Sequence, residues 1–209
     1  LFSIIQAAGW PIWFLILCSF AAIVFIVERF LSLRRDKIIP AKTLEEAISA
    51  SAKKIPSPET IKKLAASSVL GGVLATGLQT VQQNPEVKEE ELRSTMEGAG
   101  RLAIHVMERF LPALATIAYV APLLGLFGTV IGMIEIFGAQ QAAGQGDPAQ
   151  VAHGISVALY NTAFGLMIAI VAYLFYRYFR SRVEVYILLL EQSSERFTRH
   201  LLSLLERAK

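Results

Sequence analysis

The sequence predicts an all-α integral membrane protein with three transmembrane helices and long cytoplasmic helical extensions. Three observations carry that prediction. The chain of 209 residues is 54% hydrophobic, with a mean hydropathy of +0.50, so membrane segments are sought first. Residues 1–27, 111–134 and 148–176 contain no Asp, Glu, Lys or Arg. Each run exceeds the roughly 20 residues that cross a hydrocarbon core about 30 Å thick. Finally, no stretch alternates apolar and polar residues over any length, so no strands are expected.

The first element is a helix near 9–27, within a membrane segment spanning 1–28. Pro11 suits a first helical turn, where its missing N–H costs nothing. Trp10 and Trp13 stand where an interfacial aromatic belt is expected, and Glu28, Arg29, Arg34 and Arg35 close the other end. The chain opens on Leu1 rather than Met, which suggests that residues precede it. The span does not read as a signal peptide: it has no basic leading region, and its apolar run exceeds the usual 7–15 residues or so. Cys18 is the single cysteine and reads as a small lipid- or helix-facing residue.

Residues 29–109 form a polar helical domain. One helix is expected over 41–54, broken by Ile55-Pro56-Ser57-Pro58. A second starts at Ser57 or Pro58 and reaches Gln83, where Asn84-Pro85 breaks it. Glu86, Glu89, Glu90 and Glu91 then load a helix start with acid, which favours its dipole. From 87 to 137 the only breakers are glycines, Pro112 and Pro122. A single helix of about 50 residues, about 75 Å long, is therefore expected, with the second span over 110–138.

A periplasmic hairpin over 139–150, GAQQAAGQGDPAQ from Gly138 onward, leads to the third span at 151–176. The tail, 177–209, carries Val183, Ile187, Leu190, Ser194, Phe197, Leu201 and Leu204 at alternating spacings of four and three. That stripe fits a coiled-coil seam or one face of an intramolecular bundle.

Orientation follows from the basic residues. Of the 20 Lys and Arg, 13 lie between Glu28 and Arg109 and seven between Arg177 and Lys209. All fall on one side of a three-span chain, which the positive-inside rule makes the cytoplasm. The N-terminus is then periplasmic and the C-terminus cytoplasmic. The net charge of +3 needs no nucleic acid to explain it, because 15 of the 17 acidic residues are interleaved with the cytoplasmic basic ones. Metal-ligand spacings, Walker loops and nucleophile elbows are all missing from the sequence, so no metal, cofactor or catalytic residue is expected. His105 reads as a helix-surface residue.

The second span, APLLGLFGTVIGMIEIF over 121–137, is richer in small residues than bilayer crossing requires. Gly125, Thr129, Gly132 and Ile136 share one helix face, Pro122 extends it, and Gly128 and Gly132 form a small-xxx-small pair. In the third span Ala158, Thr162, Gly165, Ala169 and Ala172 make a matching face. Small faces let helix backbones approach closely in lipid, so close packing on neighbouring helices is expected. Thr129 and Thr162, with Ser156, Tyr160 and Asn161 nearby, suggest a narrow polar lining. No charged side chain sits at the centre of any span, although ionisable groups are the usual carriers of intramembrane proton relays. The chain is thus either a scaffold or one wall of a path whose proton acceptor comes from another helix.

Two stretches, APLLGLFGTVIGMI (121–134) and GISVALYNTAFGLMIAI (154–170), resemble the second- and third-span motifs of the ExbB/TolQ/MotA family of proton-driven energy transducers, ExbB most of all. The likeness covers nearly the whole chain. It implies a homopentamer in a bacterial inner membrane, a bundle around a central pore. The pore would hold helices of an ExbD-like single-span partner that carries a transmembrane aspartate. It implies that Thr129 and Thr162 line the pore facing that aspartate, with Asn161 and Ser156 added here as candidate lining. Pro122, Gly125, Gly128, Gly132, Ala158, Gly165 and Ala169 would pack the pore helices. A TonB-like protein would carry the work to outer-membrane transporters. The chain departs from the pattern at Val157, where ExbB and TolQ commonly have a glutamate, and at Tyr160 and Asn161, where smaller apolar residues are common. A TolQ-like role in the Tol-Pal envelope system and a non-conducting scaffold are the competing functions. MotA usually has a fourth span.

Overall fold

A computed structural model of the chain describes residues 9–52, 54–143 and 148–208. Among the described residues the regular structure is helical: α1 (Ile12–Ser32), α2 (Arg35–Ile38), α3 (Thr43–Ser51), α4 (Pro58–Ser67), α5 (Val69–Gln83), α6 (Glu89–Glu108), α7 (Leu111–Ala143) and α8 (Pro148–Ala208). Three helical runs are long and apolar enough to cross a membrane, Ile12–Ser32, Glu89–Gly138 and Gly154–Glu206. The helices divide into two compact units, one of residues 1–29 and 110–178 and one of residues 30–109 and 179–209.

In the first unit, small and aliphatic side chains face inward and large ones outward. Ala22, Ala118, Ala121, Ala158 and Ala172 are buried, whereas Trp13, Leu17, Phe20, Leu123, Leu159, Met167 and Leu174 are exposed. A water-solvated domain would not leave so much large apolar surface uncovered. In lipid, by contrast, association relies on close packing of small residues. Between α1 and the membrane part of α8 an apolar groove of about 520 Å³ remains, lined by residues such as Ile16, Phe20, Ile23 and Met167.

The second unit is a helical bundle with a conventional core. Leu70, Leu74 and Leu78 of α5 are buried together with Ile61 of α4, Leu92 and Met96 of α6, and Val183, Leu190, Phe197 and Leu201 of α8. Gly77 is where the bundle is tightest: an added Cβ would stand 2.8 Å from Met96 Sδ and 3.3 Å from Leu201 Cδ1. The heptad-like stripe of the tail is therefore the face by which α8 joins this bundle. Polar contacts fix the edges. The Tyr186 hydroxyl donates to the Leu33 carbonyl at 2.9 Å. Ser51 Oγ lies 3.0 Å from His200 Nε2. Arg93 donates to Glu195 at 2.8 Å and Arg180 to Glu108 at 2.6 Å.

The structure corrects the expected elements in three places and opens the hydrogen-bond ladder of a fourth. The single helix over 58–83 is two, because Ser68 takes an extended backbone and caps α5, accepting from Gly71 N at 2.9 Å. The helix expected over 41–54 is shorter, Thr43–Ser51, and a separate turn, α2, precedes it. The expected 50-residue run is present as Glu89–Gly138, with its hydrogen-bond ladder opened at Arg109–Phe110. Pro112 has no N–H to offer the Glu108 carbonyl, which leaves that turn open, and Leu114 N→Phe110 O at 3.1 Å restarts the ladder. Pro122, by contrast, lies inside unbroken α7. At the far end α7 continues to Ala143 and α8 begins at Pro148, so residues 139–143 and 148–150 are helical. The remainder of the expected hairpin, 144–147, lies outside the described residues.

Candidate functional site

The membrane-crossing parts of α7 and α8 run antiparallel and meet along the small faces that the sequence marks. Gly165 fits beneath α7: an added Cβ would be 2.5 Å from the Ala121 carbonyl oxygen and 3.1 Å from Gly125 Cα. One turn further out, a Cβ on Gly125 would lie 2.7 Å from Asn161 O and 2.9 Å from Thr162 Cα. A Cβ on Gly128 would lie 2.8–2.9 Å from the side chain of Asn161. Beyond it Gly132 faces Ala158, at 3.0 Å, and Gly154 faces Ile136, at 2.6 Å. Gly165 and Gly125 meet backbone atoms and are there for backbone approach, whereas Gly128, Gly132 and Gly154 make room for the side chains of Asn161, Ala158 and Ile136. The two small faces therefore pack on each other within one chain. Of the predicted packing residues, Gly125, Gly128, Gly132, Ala158 and Gly165 meet in this contact. Ala169 is buried and Pro122 is half-buried.

The four predicted lining residues do not share one face. Asn161 is 1% exposed and lies inside the α7–α8 contact. Thr162 is half-buried beside Gly125, and its Oγ1 is buried with no hydrogen-bond partner among the described residues. Thr129 stands at an open groove of about 530 Å³, lined wholly by α7 through Val130, Met133, Ile134, Phe137 and Gly138. Its hydroxyl donates to the Leu126 carbonyl at 2.7 Å. Ser156 is exposed and donates to the Ala152 carbonyl at 2.9 Å. Within one chain the two threonine hydroxyls thus have different surroundings: Thr129 is satisfied and open, Thr162 enclosed and unsatisfied. Periodicity marks a face but not its occupant, and this is where the lining read from sequence separates.

A feature that sequence reasoning passed over lies at the other end of the unit. Arg29 is 2% exposed. Its guanidinium donates to Glu28, through Nη2 at 2.8 Å, and lies 5.1 Å from the centroid of the Phe110 ring. Phe25, one turn earlier on α1, stacks on the same ring at 5.3 Å. Stacking and cation–π attraction pin Phe110 where the helix run is interrupted. The four-residue spacing of Phe25 and Arg29 was the available signal.

Comparison with known proteins gives the same direction as the fold. The profile described as the MotA/TolQ/ExbB proton channel family matches residues 65–192. The Tol-Pal system protein TolQ of Haemophilus influenzae is 41% identical over 106 residues, 49% of this chain and 46% of that protein. The biopolymer transport protein exbB1 of Vibrio cholerae is 30% identical over 171 residues, 80% of this chain and 73% of that protein. A putative ExbB homologue of Methanothermobacter thermautotrophicus is 35% identical over 144 residues, 63% of this chain and 51% of that protein. The chain thus spans about half the length of two of these three relatives. With three apolar helical runs and a profile match over more than half its length, this chain belongs to the MotA/TolQ/ExbB proton channel family, as a multi-pass inner-membrane protein and not as an enzyme.

Proposed function

We propose that this chain is the proton-channel subunit of a TonB-type energy-transducing motor. It would couple the proton motive force, through an ExbD-like single-span partner, to TonB-dependent outer-membrane transport. The observation that carries the reading is the α7–α8 hairpin itself. It encloses a threonine hydroxyl, Thr162, that has no hydrogen-bond partner among the described residues, in spans that contain no acid or base of their own between 111–134 and 148–176 apart from His153. Such a wall suits a proton acceptor brought by another helix. Homopentamer formation supplies the rest: a second copy would cover the open groove beside Thr129, and the pore so closed would bring Thr129 and Thr162 to one path. Residues 29–109 and 177–209 would lie in the cytoplasm and the α7–α8 turn in the periplasm. One charge falling through 100 mV releases about 2.3 kcal/mol, so a few protons per step exceed thermal energy several-fold.

A TolQ-like subunit of the Tol-Pal system is the second reading, favoured by the 41% identity to TolQ. A strain lacking its own ExbB-type and TolQ-type genes separates the two. Complementation by this chain and its partner should restore siderophore uptake and leave detergent sensitivity unchanged. Restored envelope integrity without uptake establishes the Tol reading. Full uptake with both Thr129→Val and Thr162→Val returns the chain to a non-conducting scaffold.

A further inference from the structure

The α7–α8 contact contains one large polar side chain among alanines and glycines. Asn161 is 1% exposed, and three atoms of its side chain, Cβ, Cγ and Nδ2, lie 2.8, 2.9 and 2.9 Å from where a Cβ on Gly128 would be. The carboxamide therefore occupies the volume that a side chain at 128 would take. On α7 the same-face positions one turn away include Leu124 and Ile131, both with side chains, so a slip toward either would press the amide against it. We propose that the Asn161 carboxamide and the side-chain-free notch at Gly128 form a register lock. The lock fixes how far α8 is advanced along α7, and so the depth at which Thr162 sits against Gly125.

Asn161 is then a positioning residue, not part of the proton path. An alanine–glycine contact tolerates axial sliding, because methyl groups and hydrogens present a nearly smooth surface. A carboxamide seated in a one-residue gap does not. The functional arm of the proposal rests on the channel reading above; the structural arm does not.

The test is a set of paired substitutions in the purified complex, read by thermal unfolding. Gly128→Ala should lower the melting temperature. Adding Asn161→Gly should raise it again, although Asn161→Gly alone is destabilising, because the new methyl group at 128 fills the space the amide vacates. Gly125→Ala is the control. Its added Cβ would meet Asn161 O and Thr162 Cα, which are backbone atoms, so Asn161→Gly should not rescue it. A double variant no more stable than Gly128→Ala, or equal rescue of Gly125→Ala, overturns the lock. Should Gly128→Ala fail to accumulate, the register is read directly. Cysteines at Gly132 and Ala158, in a Cys18→Ala background, are close enough to form a disulfide, and Asn161→Gly should lower its yield severalfold; an unchanged yield overturns the proposal. Uptake should follow the same rescue pattern. If stability follows it while Thr129→Val and Thr162→Val both transport normally, the lock stands and the channel reading falls.

Discussion

Gly165 and Ala121 touch through backbone: a methyl group on Gly165 would stand 2.5 Å from the Ala121 carbonyl oxygen. Neither partner can swing away, since one is a helix carbonyl and the other a Cα. Gly165→Ala should therefore destabilise the membrane unit by about 1–3 kcal/mol, the range for overpacked contacts. Gly100 on α6 is the opposite case, with nothing within 4 Å of an added Cβ. Gly100→Ala should stabilise by about 0.5–1 kcal/mol through the helix backbone alone. Unfolding of both variants in one detergent gives the comparison, and a Gly165→Ala variant as stable as the parent would rule out the contact.

That pairing also shows what the sequence could convey. The charge-free runs determine the three spans, because lipid excludes charge regardless of tertiary detail. The small faces on 125–132 and 158–172 were equally legible, since helical spacing depends only on local geometry. That the two faces meet each other was not legible, because spacing is silent about the partner. The polarity of Asn161 is likewise visible in sequence, whereas its seat against Gly128 exists only once the helices are docked. The break at Ser68 was missed because Ser67-Ser68 lies inside an Ala- and Gly-rich segment with no proline, and only the extended backbone there reveals the cap. The interruption at Phe110 depends on Pro112 losing a bond that Pro122 also loses, so the proline alone does not determine it.

In the cytoplasmic unit, two polar contacts of similar length should differ in worth. The Arg93–Glu195 pair is close, at 2.8 Å, but its side chains are 43% and 42% exposed. Glu195, and then Glu89, hold the Arg93 guanidinium above its ordinary pKa, so it remains charged at any physiological pH. Water and salt screen the pair, so Arg93→Ala should change stability little. Tyr186 is buried and its hydroxyl satisfies the Leu33 carbonyl. Tyr186→Phe keeps the ring and strands that carbonyl, which should cost about 1–2 kcal/mol. Raising the salt concentration should narrow the difference between parent and Arg93→Ala but leave the effect of Tyr186→Phe unchanged. An Arg93→Ala loss larger than that of Tyr186→Phe would contradict this ranking.

The orientation proposed from the basic residues is checked by labelling single cysteines in a Cys18→Ala background. A cysteine at Gln145 should react with a membrane-impermeant maleimide added to whole cells with a permeabilised outer membrane. One at Lys88 should react only after the inner membrane is opened. The reverse pattern would invert the topology and place the 20 basic residues on the outside, against the positive-inside rule.

Stability and function should separate at the two threonines. Thr129 Oγ1 already donates to the Leu126 carbonyl, and that carbonyl sits within the helix ladder. Thr129→Val removes a surface hydroxyl and should change stability by no more than about 0.5 kcal/mol. Thr162 Oγ1 is buried without a partner among the described residues, a state that costs about 1–3 kcal/mol. Thr162→Val keeps the branched shape, removes the unsatisfied group, and should stabilise the folded hairpin by about 1 kcal/mol. If both hydroxyls serve a partner's carboxyl group, each valine variant should lose most TonB-dependent uptake while assembling at least as well as the parent. A dry lining would raise that carboxyl group's pKa and hold it protonated. Val157 gives the control: it is half-buried, close by on α8, and cannot exchange a proton, so Val157→Ala should leave uptake nearly unchanged. A structural hydroxyl would produce the opposite correlation, with Thr162→Val both less stable and less active. Melting temperatures and uptake at matched protein levels therefore distinguish a residue kept for function against its stability cost from one kept for packing.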